Sequence, residues 1–329
     1  MTTMLRIDRF LSRHMPWMLL GAGALGVCFA KEVTPLQQYM SHMMAIITFA
    51  NSLGGGFRDL RETVRRPVPI LVAFVVMHLI MPAVILGIGR VVFPNNPDFV
   101  SGLVLQFTLP VGIATLMWVG MSGGHMGLCL SMVLIDTLLS PFTIPLSLKL
   151  LLGTVVEMNV AGMMKDLLLM VGIPALLAML LYEKDDGHIA KALKPKLALP
   201  GKLMVLLIVV ATGSKCADFF KNLNSWVLAV TVTILVLTIG GFVLGHWVAK
   251  GLKLEYPSAF TLTVVMGFRN ISAGIVLAQQ YFPVAALLPV SIMPLFQQLL
   301  LSIVIKFLWR TKPAREYMGK LETAQNHQT

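Results

Sequence analysis

The chain has 329 residues, of which 57% are apolar and 12% charged, and its mean hydropathy is +0.81. A soluble domain holds about 45–50% apolar and about 25% charged residues, because its surface must carry polar groups. The composition therefore excludes soluble, disordered, collagen-like and disulfide-scaffold classes and describes an integral membrane protein in contact with a lipid bilayer.

The net charge of +11 comes from short basic clusters between apolar stretches. Membrane topology explains them, and no nucleic-acid partner is implied. Cys28, Cys129 and Cys216 lie in or beside apolar segments and read as small hydrophobes. The 22 methionines scatter without a repeated ligand spacing and read as apolar filler.

A bilayer core about 30 Å thick needs roughly 20 apolar residues per helix. In chain order the predicted spans cover 15–31, 36–55, 68–92, 99–121, 126–152, 160–182, 203–219, 224–248, 258–281 and 284–308. Met15–Ala30 behind Arg6, Arg9 and Arg13 also has signal-peptide character. Removing it would leave nine spans and spoil the charge pattern.

With the N-terminus inside, the cytoplasmic segments collect Arg6, Arg9 and Arg13, then Arg58, Arg61, Arg65 and Arg66. Further along they collect Lys184, Lys191, Lys194, Lys196 and Lys202, then Lys250 and Lys253, and finally Arg310, Lys312, Arg315 and Lys320. Lys31, Arg90, Lys149, Lys165, Lys215 and Lys221 fall outside or at outer helix ends. This excess places both termini on the cytoplasmic side, and the membrane expected is a plasma membrane of bacterial inner-membrane type. The clusters themselves read as topology signals.

Glu183–Lys202 is the sizeable polar linker. The organisation is then spans one to six over 1–182, the linker over 183–202, spans seven to ten over 203–309 and a basic tail over 310–329. Two five-span halves, each with an odd number of crossings, must run inverted relative to one another, the layout of many transporters.

Span four is interrupted by Leu109-Pro110-Val111-Gly112, followed by Ala114-Thr115. Span nine carries Met266-Gly267-Phe268-Arg269-Asn270-Ile271-Ser272. Prolines around hydroxyl residues recur in spans five (Ser140 to Pro145) and ten (Pro289 to Pro294). A break within the membrane frees backbone groups that cost several kcal/mol when unsatisfied. Paired breaks in matching spans thus mark a midplane binding site, with Pro110, Gly112 and Gly267 as the helix breakers.

Three ionisable residues lie deep in spans: His78, Asp136 and Arg269. Arg269 keeps its proton and needs a protein or wet neighbour. Asp136 is the acidic residue deepest in a span and is its expected partner, the pair lining the pathway. Thr115, Asn270 and Ser272 complete the candidate substrate or ion site. No P-loop, HExxH or GxSxG motif is present, so the chain reads as neither an enzyme nor a hydrolysis-driven pump.

Pro110 to Thr115, Gly124 through Leu128, and Asp136-Thr137-Leu138-Leu139-Ser140-Pro141 resemble the fourth and fifth helices of the bile acid:sodium symporter family. Gly267-Phe268-Arg269-Asn270 with Tyr281-Phe282-Pro283 resembles its ninth. The resemblance implies an all-α fold of ten helices in two inverted repeats. Spans one, two, six and seven would form a panel, and three to five and eight to ten a core in which broken helices four and nine cross. It also implies organic anions bound between the two, such as bile acids, other sterol conjugates or small carboxylates.

The same resemblance places family sodium ligands at positions that here carry Thr115, Leu116, Cys129, Val133, Val265, Arg269 and His78. Hydrophobic residues offer sodium no side-chain oxygen, which leaves Thr115, Asn270 and Asp136 as the candidate sodium ligands. The expected function is secondary transport of a small organic anion by alternating access. Coupling would run through protons, with Arg269 as a surrogate cation, or be absent. A conventional sodium symporter with relocated ligands is the alternative, and a channel or membrane sensor a more distant one. No cofactor beyond sodium or proton is expected, and oligomeric state is left open.

Overall fold

The computed structural model describes residues 2–59, 67–153, 159–221 and 225–308. Arg61, Arg65, Arg66 and the tail 310–329 lie outside the described residues. Within them the chain is helical with no strand, and helices occupy every predicted apolar stretch.

The main helices are α1 (Thr2–Cys28), α2 (Met40–Ser52), α3 (Pro67–Val92), α4 (Pro97–Thr108), α5 (Thr115–Met121) and α6 (Met126–Leu152). They continue as α7 (Val160–Lys184), α8 (His188–Lys215), α9 (Ser225–Gly251), α10 (Tyr256–Gly267), α11 (Ile271–Tyr281) and α12 (Val284–Leu308). Among the described residues, α3, α6, α7, α8 and α9 are each long and apolar enough to cross a bilayer. Two bent pairs, Trp17–Cys28 with Ala30–Ser52 and the two halves of α12, raise the number to seven.

Polarity runs from outside to inside as lipid requires. Leu228, Val232, Val236 and Val243 stand exposed along one side of α9, and Val68, Leu71, Val75 and Leu79 along α3. Ser101, Gln106, Thr108, Ser131, Asp136, Arg269 and Gln297 are buried. Trp226 and Trp247 are exposed near the two ends of α9. At 1.5 Å per residue they stand about 30 Å apart, the thickness of a hydrocarbon core.

Two packing groups form. In one, α8 packs on α1 and α2, and α7 packs on α2. In the other, α9 packs on α10 and α12, α4 on α3 and α12, and α11 on α12. The groups meet where α8 touches α11 and α7 touches α6.

Residues expected to form a polar linker enter a helix at His188 instead, and this helix continues into span seven. Alanine, leucine and lysine there favour helix. Pro195 and Pro200 are tolerated inside it, because the carbonyls they leave without donors belong to exposed Lys191 and Lys196. Arg58 pairs with Glu183 at 2.9 Å, tying the turn after α2 to the end of α7.

Two further prolines leave π-type turns upstream of them: Val76–Ile80 before Pro82 and Leu168–Gly172 before Pro174. Pro82 has no N–H to offer the His78 carbonyl four residues earlier. The Ser147 hydroxyl of α6 donates to that carbonyl at 3.0 Å.

Candidate transport site at the helix crossing

Both interrupted spans open at the residues that break helices. α4 ends at Thr108 and α5 begins at Thr115; α10 ends at Gly267 and α11 begins at Ile271. Between them the two extended segments run antiparallel, bridged at Val111 and Arg269. The Gly112 N–H donates to the Phe268 carbonyl at 3.1 Å, and the Asn270 N–H donates to the Pro110 carbonyl at 2.7 Å. These bonds are related by a local two-fold, since each joins the residue after one bridge position to the residue before the other. Gly112 is required by close approach: a Cβ there would stand 2.8 Å from the Arg269 carbonyl oxygen.

The bridge residues' own amides are met from the next long helix in each half. The Val111 N–H donates to Asp136 Oδ2 of α6 at 2.7 Å. The Arg269 N–H donates to Gln297 Oε1 of α12 at 3.1 Å, and Gln297 Nε2 returns a bond to the Arg269 carbonyl at 3.1 Å. The Val111 N–H and both backbone groups of Arg269, freed by the breaks, are thereby satisfied.

The expected direct pairing of Asp136 with Arg269 is not among the described contacts. Asp136 Oδ1 lies 2.7 Å from His78 Nε2, with both side chains buried. The guanidinium of Arg269 points to the other side of Pro110. Its Nη1 donates to the Leu109 carbonyl at 3.2 Å and its Nη2 to Met81 Sδ at 3.5 Å, while Nε has no partner among the described residues. The charge rests at the C-terminal end of α4, where helix carbonyls carry a partial negative charge. Pro110 explains the difference: Asp136 and Arg269 hold the groups on its two sides, Val111 N–H and Leu109 C=O, instead of each other.

Thr115 Oγ1 donates to the Gly112 carbonyl at 2.7 Å, and Cys129 Sγ lies 3.5 Å from that hydroxyl. Asn270 caps α11, its Oδ1 accepting from the Ala273 N–H at 3.4 Å. Cys129, Val133 and Val265 are buried.

Against the crossing lies a cavity of about 330 Å³. Gly112, Ala114, Phe268, Arg269, Asn270 and Ser272 form its inner wall, together with Gln297 and Gln298. Asn51 of α2 and one side of α8 (Lys194, Leu197, Lys202, Val205, Val209) face them. His78, Asp136 and Thr115 are not in this lining. A second cavity of similar size is bounded by Leu20, Val27, Cys28, Thr212, Phe220 and Ser291, and it shares Val209 and Ile275 with the first.

Sequence reasoning missed Gln297, although the Gln297-Gln298 pair in an otherwise apolar span was its signal. It also read Lys194 only as a topology marker.

The family described as Sodium Bile acid symporter family matches residues 42–223. "Uncharacterized protein YbaS" of Bacillus subtilis (strain 168) is 35% identical over 88% of this chain and 94% of its own length. "Uncharacterized sodium-dependent transporter YocS" of the same organism is 25% identical over 92% of each. "Probable sodium/metabolite cotransporter BASS2, chloroplastic" of Oryza sativa subsp. japonica is 24% identical over 81% of this chain and 62% of its own. With the profile covering more than half of the sequence and a relative of that identity matched almost end to end, this chain belongs to the sodium bile acid symporter family, a family of membrane transporters and not of enzymes.

Proposed function

We propose that the protein is a secondary transporter of a small organic anion, working by alternating access between two inverted five-helix repeats, with Arg269 in the place of a coupling sodium. The observation that carries this reading is the position of the guanidinium at the C-terminal carbonyl of α4. Half-helix C-terminal ends and unwound carbonyls are where transporters of this kind hold sodium, and here a fixed charge occupies that place. The matching breaks, α4 to α5 and α10 to α11, each with its bridge amide met from the next long helix, support the repeats. The packing of α8 on α1 and α2, and of α9 on α10 and α12, supports a panel and a core. The basic clusters support a cytoplasmic location for both termini in a plasma membrane.

The second reading is sodium symport through relocated ligands, favoured by the printed names of YocS and the BASS relatives. Against it, positions where the family resemblance implies sodium ligands carry Leu116, Val133 and Val265, which offer no side-chain oxygen.

Purified protein in liposomes separates the two. Uptake of radiolabelled pyruvate and 2-oxoglutarate is expected to change less than about twofold when an inward sodium gradient replaces potassium, with a proton gradient as the third arm. Arg269→Gln removes the fixed charge, and sodium is then expected to raise the melting temperature of the variant but not of the parent. Strong sodium stimulation of the parent, with Arg269→Gln fully active, would establish the second reading instead.

A further inference from the structure

The cavity beside the crossing has two lysines, Lys194 and Lys202, on its α8 wall, and Arg269 borders its inner side. No aspartate or glutamate is among its lining residues. Lys194 makes no hydrogen bond or ion pair with any described residue, and it reaches the cavity because α8 continues unbroken from His188. Lys194, Leu197, Gly201, Val205 and Val209 fall three or four residues apart on that helix and so share one side of it. Gly54 makes room for the ammonium: a Cβ there would stand 2.7 Å from Lys194 Nζ.

On the opposite wall, Ser272 lies in the first turn of α11, an 11-residue helix whose leading N–H groups and dipole favour an anion. The two positive loci lie on different packing groups, so a ligand with one anionic group can meet only one of them at a time. A cavity of about 330 Å³ is at the small end of ligand pockets, roughly 300–1,000 Å³. That size suits a short-chain acid better than a sterol conjugate.

We infer that the transported molecule is a small organic dianion, with one anionic group held at Ser272 and the N-terminal turn of α11 and the other on the ammonium of Lys194. This rests on the transport reading above and names its substrate class. Lys194 would then be the residue that selects two-charged over one-charged acids, and panel and core would be drawn together across the molecule they carry.

Thermal stabilisation of the purified full-length protein by straight-chain dicarboxylates of about four to eight carbons, set against monocarboxylates of equal length, tests the inference. At least one diacid is expected to act at about tenfold lower concentration than its monoacid, the scale of one hydrogen bond to a charged group. Lys194→Gln should abolish that preference, so that diacid and monoacid act at similar concentrations, while Lys194→Arg retains it. Gly54→Val, which crowds the ammonium without removing it, should weaken the diacid response selectively. High salt should narrow the difference. Equal responses to both series, or a Lys194→Gln variant that loses both alike, would overturn the inference and leave the transport reading standing. Absence of any response to either series, together with no uptake of either labelled acid, would overturn both.

Discussion

Both carboxylate oxygens of Asp136 are engaged, one with His78 and one with the Val111 amide. In Asp136→Asn the amide oxygen can keep the Val111 N–H, but its NH2 can meet His78 Nε2 only in the other tautomer, which puts the ring proton on Nδ1, an atom with no partner among the described residues. A buried group left unsatisfied costs about 1–3 kcal/mol, and a melting temperature lowered by several degrees is the expected outcome. Gln297→Ala should cost at least as much, because it strips the Arg269 N–H and C=O together. Gln297→Glu should recover only part of the loss, since a carboxylate accepts from that N–H but has nothing to donate to the carbonyl. A Gln297→Ala variant as stable as the parent would mean that water or a neighbouring helix satisfies the crossing instead. Which residues are special was legible before any coordinates: Pro110, Gly112, Gly267, Asp136 and Arg269 conflict with an apolar helix, and such conflict needs a remedy in lipid. Their partners were not legible. Opposite charges suggested that Asp136 and Arg269 bind each other, whereas geometry sends them to backbone groups on the two sides of one proline.

At the scale of elements, proline does more than break helices. Upstream of Pro82 the turn widens around His78, and the carbonyl without its usual donor is met by Ser147 on α6. The same widened turn presents the His78 ring to Asp136. Pro82→Ala supplies the missing N–H, so the Ser147 bond becomes redundant and α3 is free to tighten. Ser147→Ala alone is expected to destabilise by about 1 kcal/mol, and in the Pro82→Ala background by much less. The cycle, read by thermal unfolding in detergent, should give a coupling of about 1 kcal/mol. Additive effects would show that the hydroxyl serves something other than that carbonyl. Apolar runs alone predicted where each helix lies, because hydropathy reads length against bilayer thickness. They gave no warning of the widened turns, and they placed a linker where α8 begins, since charge and proline dominated the reading of 183–202 while helix propensity was the stronger local preference.

At the scale of the whole molecule, the two cavities have a common partition. Val209 of α8 and Ile275 of α11 border both, and each is buried, at 7% and 1% exposure. One belongs to the group containing α1 and α2, the other to the group containing the crossing. If transport slides one group along the other, this apolar contact is the seal that must be remade on the far side of the substrate. A thiol tether across it should therefore stop transport. In a background with Cys28, Cys129 and Cys216 replaced by serine or alanine, Val209→Cys with Ile275→Cys is expected to exchange labelled acid normally while reduced. A short bifunctional thiol reagent should block that exchange, and a reducible version of the reagent should allow recovery on reduction. Each single variant treated alike controls for bulk at the seal. Full exchange by the tethered protein would mean that α8 and α11 keep their contact throughout the cycle, and that access alternates through some other pair of surfaces.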